Sequence, residues 1–388
     1  MNSIIDFPNP RDPAAARLRH VLRTPLRTLA AWRPGEVRAV LDAVQQAAQA
    51  GLWCLGWLRY EAAAAFDTAY ADAVHAVPKG RPLAWFGVYD QPVANGALTE
   101  DAGGKEFEPG AAPLVQWQPG LERAAFDAAI AHIHAAIAAG DCYQVNYTAQ
   151  LLGRLQGDVP ALFAALRRAQ PGGYVAHIDS GDEQVLSVSP ELFFDWDGER
   201  ILTRPMKGTA PRGATAQQDA ALAEAMRASP KERAENVMIV DLLRNDLSRI
   251  ALPHSVRVPR LFHVEALPSV WQMTSDVEAR TRPGTSLADV FAALFPCGSV
   301  TGAPKRQAMR LIRALEPGPR SIYCGAVGVV RPGSAPGHMH ATFNVPIRTV
   351  VVQGDAVRCG IGSGITASAQ AEAEWQEWHH KRAFLQQI

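Results

Sequence analysis

Two side chains in the middle of the chain could perform covalent and proton-transfer chemistry together. Glu191 sits in Ser189-Pro190-Glu191, and Lys207 sits in Arg204-Pro205-Met206-Lys207-Gly208-Thr209. Pro205 fixes its own φ and Gly208 lets the backbone come close to a ligand, so the second segment reads as a turn shaped to present side chains. The amine offers a nucleophile or base, and the carboxyl a proton donor. A lysine must be neutral to attack, and an ordinary one titrates at about 10.4. A dry pocket or a nearby cation would raise the neutral fraction.

Carboxylates recur in pairs three apart. In Ser229–Ile250, Ser229 is a good N-cap, Pro230 suits the first turn, and Glu232 is expected to complete a capping box. Glu232 and Glu235 lie on neighbouring positions of one helix face, and Glu235 shares a face with Ile239 and Leu242, so it should point inward. Near the C-terminus Glu374 and Glu377 repeat the spacing, with Lys381 one turn further on. Two readings stand side by side. First-turn acids are commonly solvated dipole partners, and a Glu-to-Lys pair four apart contributes only ~0.3–0.5 kcal/mol. Alternatively the two acidic helices converge on one divalent cation, for which magnesium takes one or two carboxylates, substrate oxygens and waters. His379 and His380 are adjacent and would face different ways.

Between these helices, Gly360, Gly362 and Gly364 strip one face of a strand of side chains. That weakens a strand unless a ligand or another backbone must come close, although a plain bulge is the other reading. A dinucleotide fingerprint fails, because Ile365 occupies the last required glycine position.

The elements that must position these groups read as mixed α and β. Residues 1–32 give little periodicity. A helix is expected over Glu36–Ala50, with strands over Trp53–Leu58 and Leu83–Tyr89. Gly96–Pro113, rich in Gly, Pro and acids, reads as a loop or linker. Phe126–Ala139 is a helix with Phe126, Ile130, Ile133 and Ile137 on one stripe, and strands follow at Tyr143–Leu152, Tyr174–Ile178, Val185–Val188 and Leu192–Trp196. Short strands joined by hairpins argue for antiparallel sheets packed with helices, not a βαβ repeat.

Composition removes several function classes. The 388 residues can bury a sizeable core, and 38 basic residues balance 38 acidic ones, so no strong field favours nucleic acid or an anionic membrane. The start lacks the basic and apolar regions of a signal peptide, and no run of about 20 apolar residues could span a bilayer. Five dispersed cysteines without CxxC spacing fit reduced thiols. The expectation is a cytoplasmic protein that binds neither nucleic acid nor membrane.

The Met206–Thr209 stretch resembles the Pro-Ile-Lys-Gly-Thr signature of the aminodeoxychorismate synthase component I branch of the chorismate-utilising enzymes, with methionine for isoleucine. Gly140–Asn146, Asp241–Leu247, Gly302–Lys305, Tyr323–Gly328 and Pro346–Thr349 resemble further blocks of that family, in the right order from about 121 to 384. The resemblance implies an α+β fold of two packed, largely antiparallel sheets with helices on the outer faces. It implies a chorismate-binding catalytic domain over 121–384, with residues 1–110 packing on it. It implies Mg²⁺, held by Glu235 and Glu377 with Glu232 and Glu374 in support. Substrate contacts are implied for Gly208, Thr209, Tyr323, Arg348, Gly362, Ser363, Gly364 and Lys381, with Arg348 pairing a carboxylate through its planar fork.

The family reaction is magnesium-dependent amination of chorismate at C4 through a covalent lysine adduct, giving 4-amino-4-deoxychorismate for para-aminobenzoate and folate. Lys207 would be the nucleophile and Glu191 the acid that protonates the departing hydroxyl. Nitrogen would come from free ammonia, or from glutamine through a separate glutamine amidotransferase subunit. No glutamine-hydrolysing or lyase segment is expected within the chain. Anthranilate synthase component I, the nearest rival, carries alanine at the position of Lys207. Isochorismate synthases carry a lysine where this chain has Gln144. A non-catalytic chorismate-binding subunit is a third reading, and it would bind without turnover. The family often has a histidine where Gln272 stands, so no acid-base role is assigned there. No clear copy of the tryptophan-binding signature of anthranilate synthases is found.

Overall fold

The computed structural model describes residues 2–92, 113–267 and 270–385. The loop expected over 96–113 lies outside them except for its last residue. Among the described residues, nineteen strands form two sheets, of nine and ten strands, in which every pairing is antiparallel. The architecture is α+β, with helices on the outer face of each sheet.

Period-two alternation builds the layers. In Trp53–Leu58, Leu55 and Trp57 face the core between the sheets, while Cys54 and Leu58 face the outer helices. In Ala84–Tyr89, Trp85 and Tyr89 point inward, and Ala84, Phe86 and Val88 outward. Ile5, Phe7, Tyr174 and Val351 meet them from the nine-stranded sheet. Helices Pro34–Gln49, Pro230–Ser248 and Leu287–Leu294 cover the ten-stranded sheet. Helices Arg123–Ala138, Val159–Ala169, Lys305–Leu315 and Ala371–Lys381 cover the other. Phe86 and Phe343 are fully buried and packed edge to face, and truncating either to alanine should cost about 3–5 kcal/mol.

The first 92 residues hold more strand than their sequence suggests. Ser3–Phe7 and Leu18–Leu22 extend one edge of the nine-stranded sheet, and Arg27–Ala31 closes the edge of the other. The last two are half-exposed edge strands that carry arginines, which removes the apolar alternation that betrays a strand. At the opposite ends of both sheets, Gln144–Gln156 and Ala356–Thr366 from one come near Met206–Pro211 and Val270–Arg280 from the other. Most of the candidate site residues gather there.

Candidate active site

The strand Met206–Pro211 is not a regular partner of Val270–Arg280. Met206 pairs with Thr274 and Thr209 with Gln272, so Lys207 and Gly208 together oppose Met273 alone. This is a β-bulge, which re-aims a side chain. Gly208 adopts φ +81°, and a β-carbon there would lie 2.6 Å from Glu232 Oε2. The close approach that the glycine permits is therefore to a pocket carboxylate. The bulge turns Lys207 into a cavity of about 500 Å³, the size of a small-molecule site. Its Nζ has no hydrogen bond or ion pair among the described residues, yet it faces the fields of Glu191, Glu232, Glu235 and Glu377.

Glu191 enters the same cavity from another strand end. The Ser189 hydroxyl fixes this corner, donating to Val345 O at 2.5 Å and accepting from Glu191 N at 3.2 Å. The carboxyl is 3% exposed, and its Oε1 has no partner among the described residues. Burial raises its pKa from 4.5 to about 7, against the opposing pull of a hydrogen bond from Ser299 and the charge of Lys207. A carboxyl so placed still holds its proton near neutrality and can donate it.

The two acidic helices do converge on the cavity. Ser229 caps Pro230–Ser248 by accepting from Glu232 N at 3.3 Å, but the expected capping box does not form. The amide of Ser229 already donates to Met226 O at the end of the preceding helix, so the Glu232 side chain is free to face the cavity. Glu235 lines it one turn on. From Ala371–Lys381 come Glu374, Glu377 and Lys381. Burial raises the pKa of Glu232, Glu235 and Glu374, and the neighbouring carboxylates add to the rise. Burial would raise Glu377 too, but Lys381, 2.6 Å away, holds it below the usual range. Lys381 Nζ also donates to Gly362 O at 3.0 Å, tying the helix to the glycine strand.

Among the described residues no three His, Cys, Asp or Glu side chains form a metal cage. The donor chemistry nevertheless fits magnesium, which needs only one or two protein carboxylates beside substrate and water. Four mutually repelling acids with one paired lysine among them leave negative charge for a cation to offset.

The glycine strand forms the cavity wall. Gly360, Gly362 and Gly364 line it, and a β-carbon at Gly360 would sit 2.2 Å from the Tyr323 ring. Tyr323 lines the cavity beside them, as does Arg348. Arg348 has φ +49°, a conformation costly for a non-glycine residue and concentrated at functional sites. Burial lowers its guanidinium pKa to about 10, and no carboxylate partner offsets this among the described residues. It is a desolvated cation open to an anion. Thr209 reaches the cavity rim.

Ser363 stands apart. Strand alternation turns it to the other face, where it donates to Glu374 Oε2 at 2.7 Å and accepts from Trp378 Nε1 at 3.0 Å. Its hydroxyl holds a carboxylate and does not line the cavity. Lys231, Gln272, Ser299 and His380 also line the cavity. None of these four is assigned a site role by sequence reasoning. Lys231 is next to Glu232, His380 is next to Lys381, and Gln272 stands where the family often has a histidine, which were the available signals, whereas Ser299 comes from a distant segment.

A family model described as chorismate binding enzyme matches residues 14–387. Aminodeoxychorismate synthase component 1 of Klebsiella aerogenes is 42% identical over 265 residues, covering 68% of this chain and 58% of that protein. Anthranilate synthase component 1 of Streptomyces coelicolor is 38% identical over 271 residues, covering 69% and 52%. The chain thus spans little more than half the length of these relatives. Among solved structures, anthranilate synthase component I of Streptococcus pneumoniae superposes with a TM-score of 0.73 at 23% identity, covering 98% of this chain and 89% of that one. The menaquinone-specific isochorismate synthase of Escherichia coli gives 0.74 at 18%, covering 100% and 88%. At such identities the two structures speak for the fold.

Proposed function

Since this chain belongs to the chorismate binding enzyme family, we propose that it aminates chorismate at C4 with ammonia, giving 4-amino-4-deoxychorismate. The observation that carries this reading is the pairing in one cavity of a lysine without a partner among the described residues, Lys207, with a carboxyl, Glu191, that stays protonated up to about 7. An amine and an acid in those states suit displacement of a poor leaving group.

The steps balance in atoms and charge. Neutral Lys207 bonds to C2 of the ring, the double bond shifts, and the C4–O bond breaks. Glu191 delivers its proton to the departing hydroxyl, which leaves as water. Ammonia then bonds to C4 as the double bond returns, and the bond from C2 to Lys207 breaks. The new C4 ammonium passes a proton to the Glu191 carboxylate, restoring both groups. The sum is chorismate plus ammonia going to aminodeoxychorismate plus water. Arg348 would pair a substrate carboxylate, and Tyr323 and the glycine strand would pack the ring. Glu235 and Glu377, backed by Glu232 and Glu374, would hold magnesium, which would bind the ring carboxylate and offset its charge.

Relatives named component 1 support a second component. A separate glutamine amidotransferase would supply ammonia from glutamine, and the product would enter para-aminobenzoate and folate synthesis in the cytoplasm. No helix among the described residues is long and apolar enough to cross a membrane. Against anthranilate formation stands Lys207 itself, an amine that would compete with ammonia for C2.

The test is incubation of purified protein with chorismate, magnesium and ammonium salt, with products identified by mass spectrometry. Aminodeoxychorismate is the expected product. Anthranilate or isochorismate would overturn the assignment, and bound but unchanged chorismate would favour a non-catalytic subunit.

A further inference from the structure

The bulge that presents Lys207 is tied at both ends to one strand. At its start, Pro205 O accepts from Ser275 N at 3.3 Å, and the Ser275 hydroxyl donates to Asn236 Oδ1 at 2.6 Å. At its end, Gln272 Nε2 donates to Gly208 O at 2.6 Å, while Gln272 Oε1 accepts from Thr209 Oγ1 at 3.1 Å. Gln272 is 6% exposed, and its backbone belongs to the strand from which the bulge departs. A glycine at φ +81° has more conformational freedom than any other residue could have there, so the tip of the bulge needs outside restraint. A carboxamide supplies it in a way a carboxylate or an apolar side chain cannot, with a donor for the carbonyl and an acceptor for the hydroxyl on one planar group.

We infer that Gln272 is a positioning residue for Lys207, a clasp that fixes the Gly208–Thr209 end of the bulge and so aims the amine at its target. This rests on the reading of Lys207 as nucleophile. Gln272 makes no hydrogen bond to the Lys207 side chain among the described residues; it acts through the backbone on which that side chain is mounted.

The experiment compares Gln272→Leu, Thr209→Val and their double variant with the parent protein. It measures kcat and KM for chorismate, and hydrogen exchange of peptides covering 204–211. For Gln272→Leu, kcat should fall roughly 10- to 100-fold, the loss that follows from a small misplacement of a reacting group. KM should change less than kcat, since Arg348, Tyr323 and the glycine strand remain in place. Exchange should quicken over 206–210 and nowhere else. Thr209→Val, which keeps the bond to Gly208 O, should lose less. The double variant should match Gln272→Leu, because the two groups act as one unit.

Unchanged exchange over 206–210 would overturn the inference, as would faster exchange spread through the whole chain, the mark of general destabilisation. An unchanged kcat in Gln272→Leu, with Lys207→Ala inactive, would remove the clasp and leave the nucleophile standing. Turnover by Lys207→Ala would remove the nucleophile, and the exchange data would still decide whether Gln272 orders the bulge.

Discussion

Lys207 occupies space that exists because residue 364 has no side chain: a β-carbon on Gly364 would lie 2.9 Å from Lys207 Nζ. The same carbon would lie 2.6 Å from Nε2 of Gln144. Both obstacles are the ends of side chains that can move. Gly364→Ala should therefore fold, losing no more than about 1–3 kcal/mol of stability, while its turnover drops because the amine is pushed aside. Gly362→Ala should behave in the opposite way. Its β-carbon would meet the backbone carbonyl of Tyr147 at 2.4 Å, which no rotamer relieves. Thermal unfolding and steady-state rates on the two variants check this, and equal effects on both quantities in both variants would refute it.

Lys207→Ala should lower turnover by on the order of 10⁴-fold, as loss of a covalent nucleophile does in other enzymes. Lys207 makes no hydrogen bond or ion pair among the described residues, so the variant should still fold, with the loss of its charge felt by Glu191, Glu232, Glu235 and Glu377. Mass spectrometry of the parent, quenched during turnover, should find an adduct that the variant lacks.

Glu191 links rate and stability to pH. Unfolded, it loses its proton near 4.5; folded, it keeps it up to about 7. The native state binds the extra proton between those values, so this group makes stability fall as pH rises through that window. Glu191→Gln removes the dependence. Its stability relative to the parent should improve from pH 4.5 to 7, by at most about 1.4 kcal/mol per pH unit, and level off above. Turnover by the parent should decline above about 7 as the acid is lost. A stability difference that stays flat with pH would contradict the assignment.

Glu374 is held by the Ser363 hydroxyl and should act on magnesium through that fixed orientation. Both Glu374→Gln and Ser363→Ala should raise the magnesium concentration for half-maximal activity, by about 10- to 100-fold for the former. Chelation should abolish parent activity, and readdition of magnesium should restore it. An unaltered magnesium requirement in Glu374→Gln would exclude this residue from the metal face.

Much of the architecture was legible because burial writes itself into periodicity. Trp53–Leu58 and Leu192–Trp196 lie where short, nearly continuous apolar runs place them, since both strands are buried on two faces. Leu18–Leu22 and Arg27–Ala31 escaped because edge strands facing solvent need no such pattern. The turn around Lys207 could be suspected from Pro205 and Gly208, but a bulge is a property of register against a partner strand, here Val270–Arg280. Gln272 could be noticed as standing where the family often has a histidine, but its tie to the bulge depends on that register and could not be read. Ser363 illustrates a different failure. Its position between Gly362 and Gly364 already dictates the opposite face, so the rule that revealed the glycine wall also removes Ser363 from it.

The placement of the first 92 residues has a kinetic consequence. Ile4 pairs with His177, and Leu55 pairs with Val329, so strands near the N-terminus must await partners made much later. The ten-stranded sheet cannot close until Ala326–Pro332 and Met339–Asn344 have been made. Until then, the inner faces of Leu55, Trp57 and Trp85 lack Val327 and Val329, which share their core. Long-range antiparallel pairing of this kind folds slowly and exposes sticky intermediates. Nascent chains arrested before Val327 should bind holdase chaperones, and release should follow completion of Ala326–Pro332.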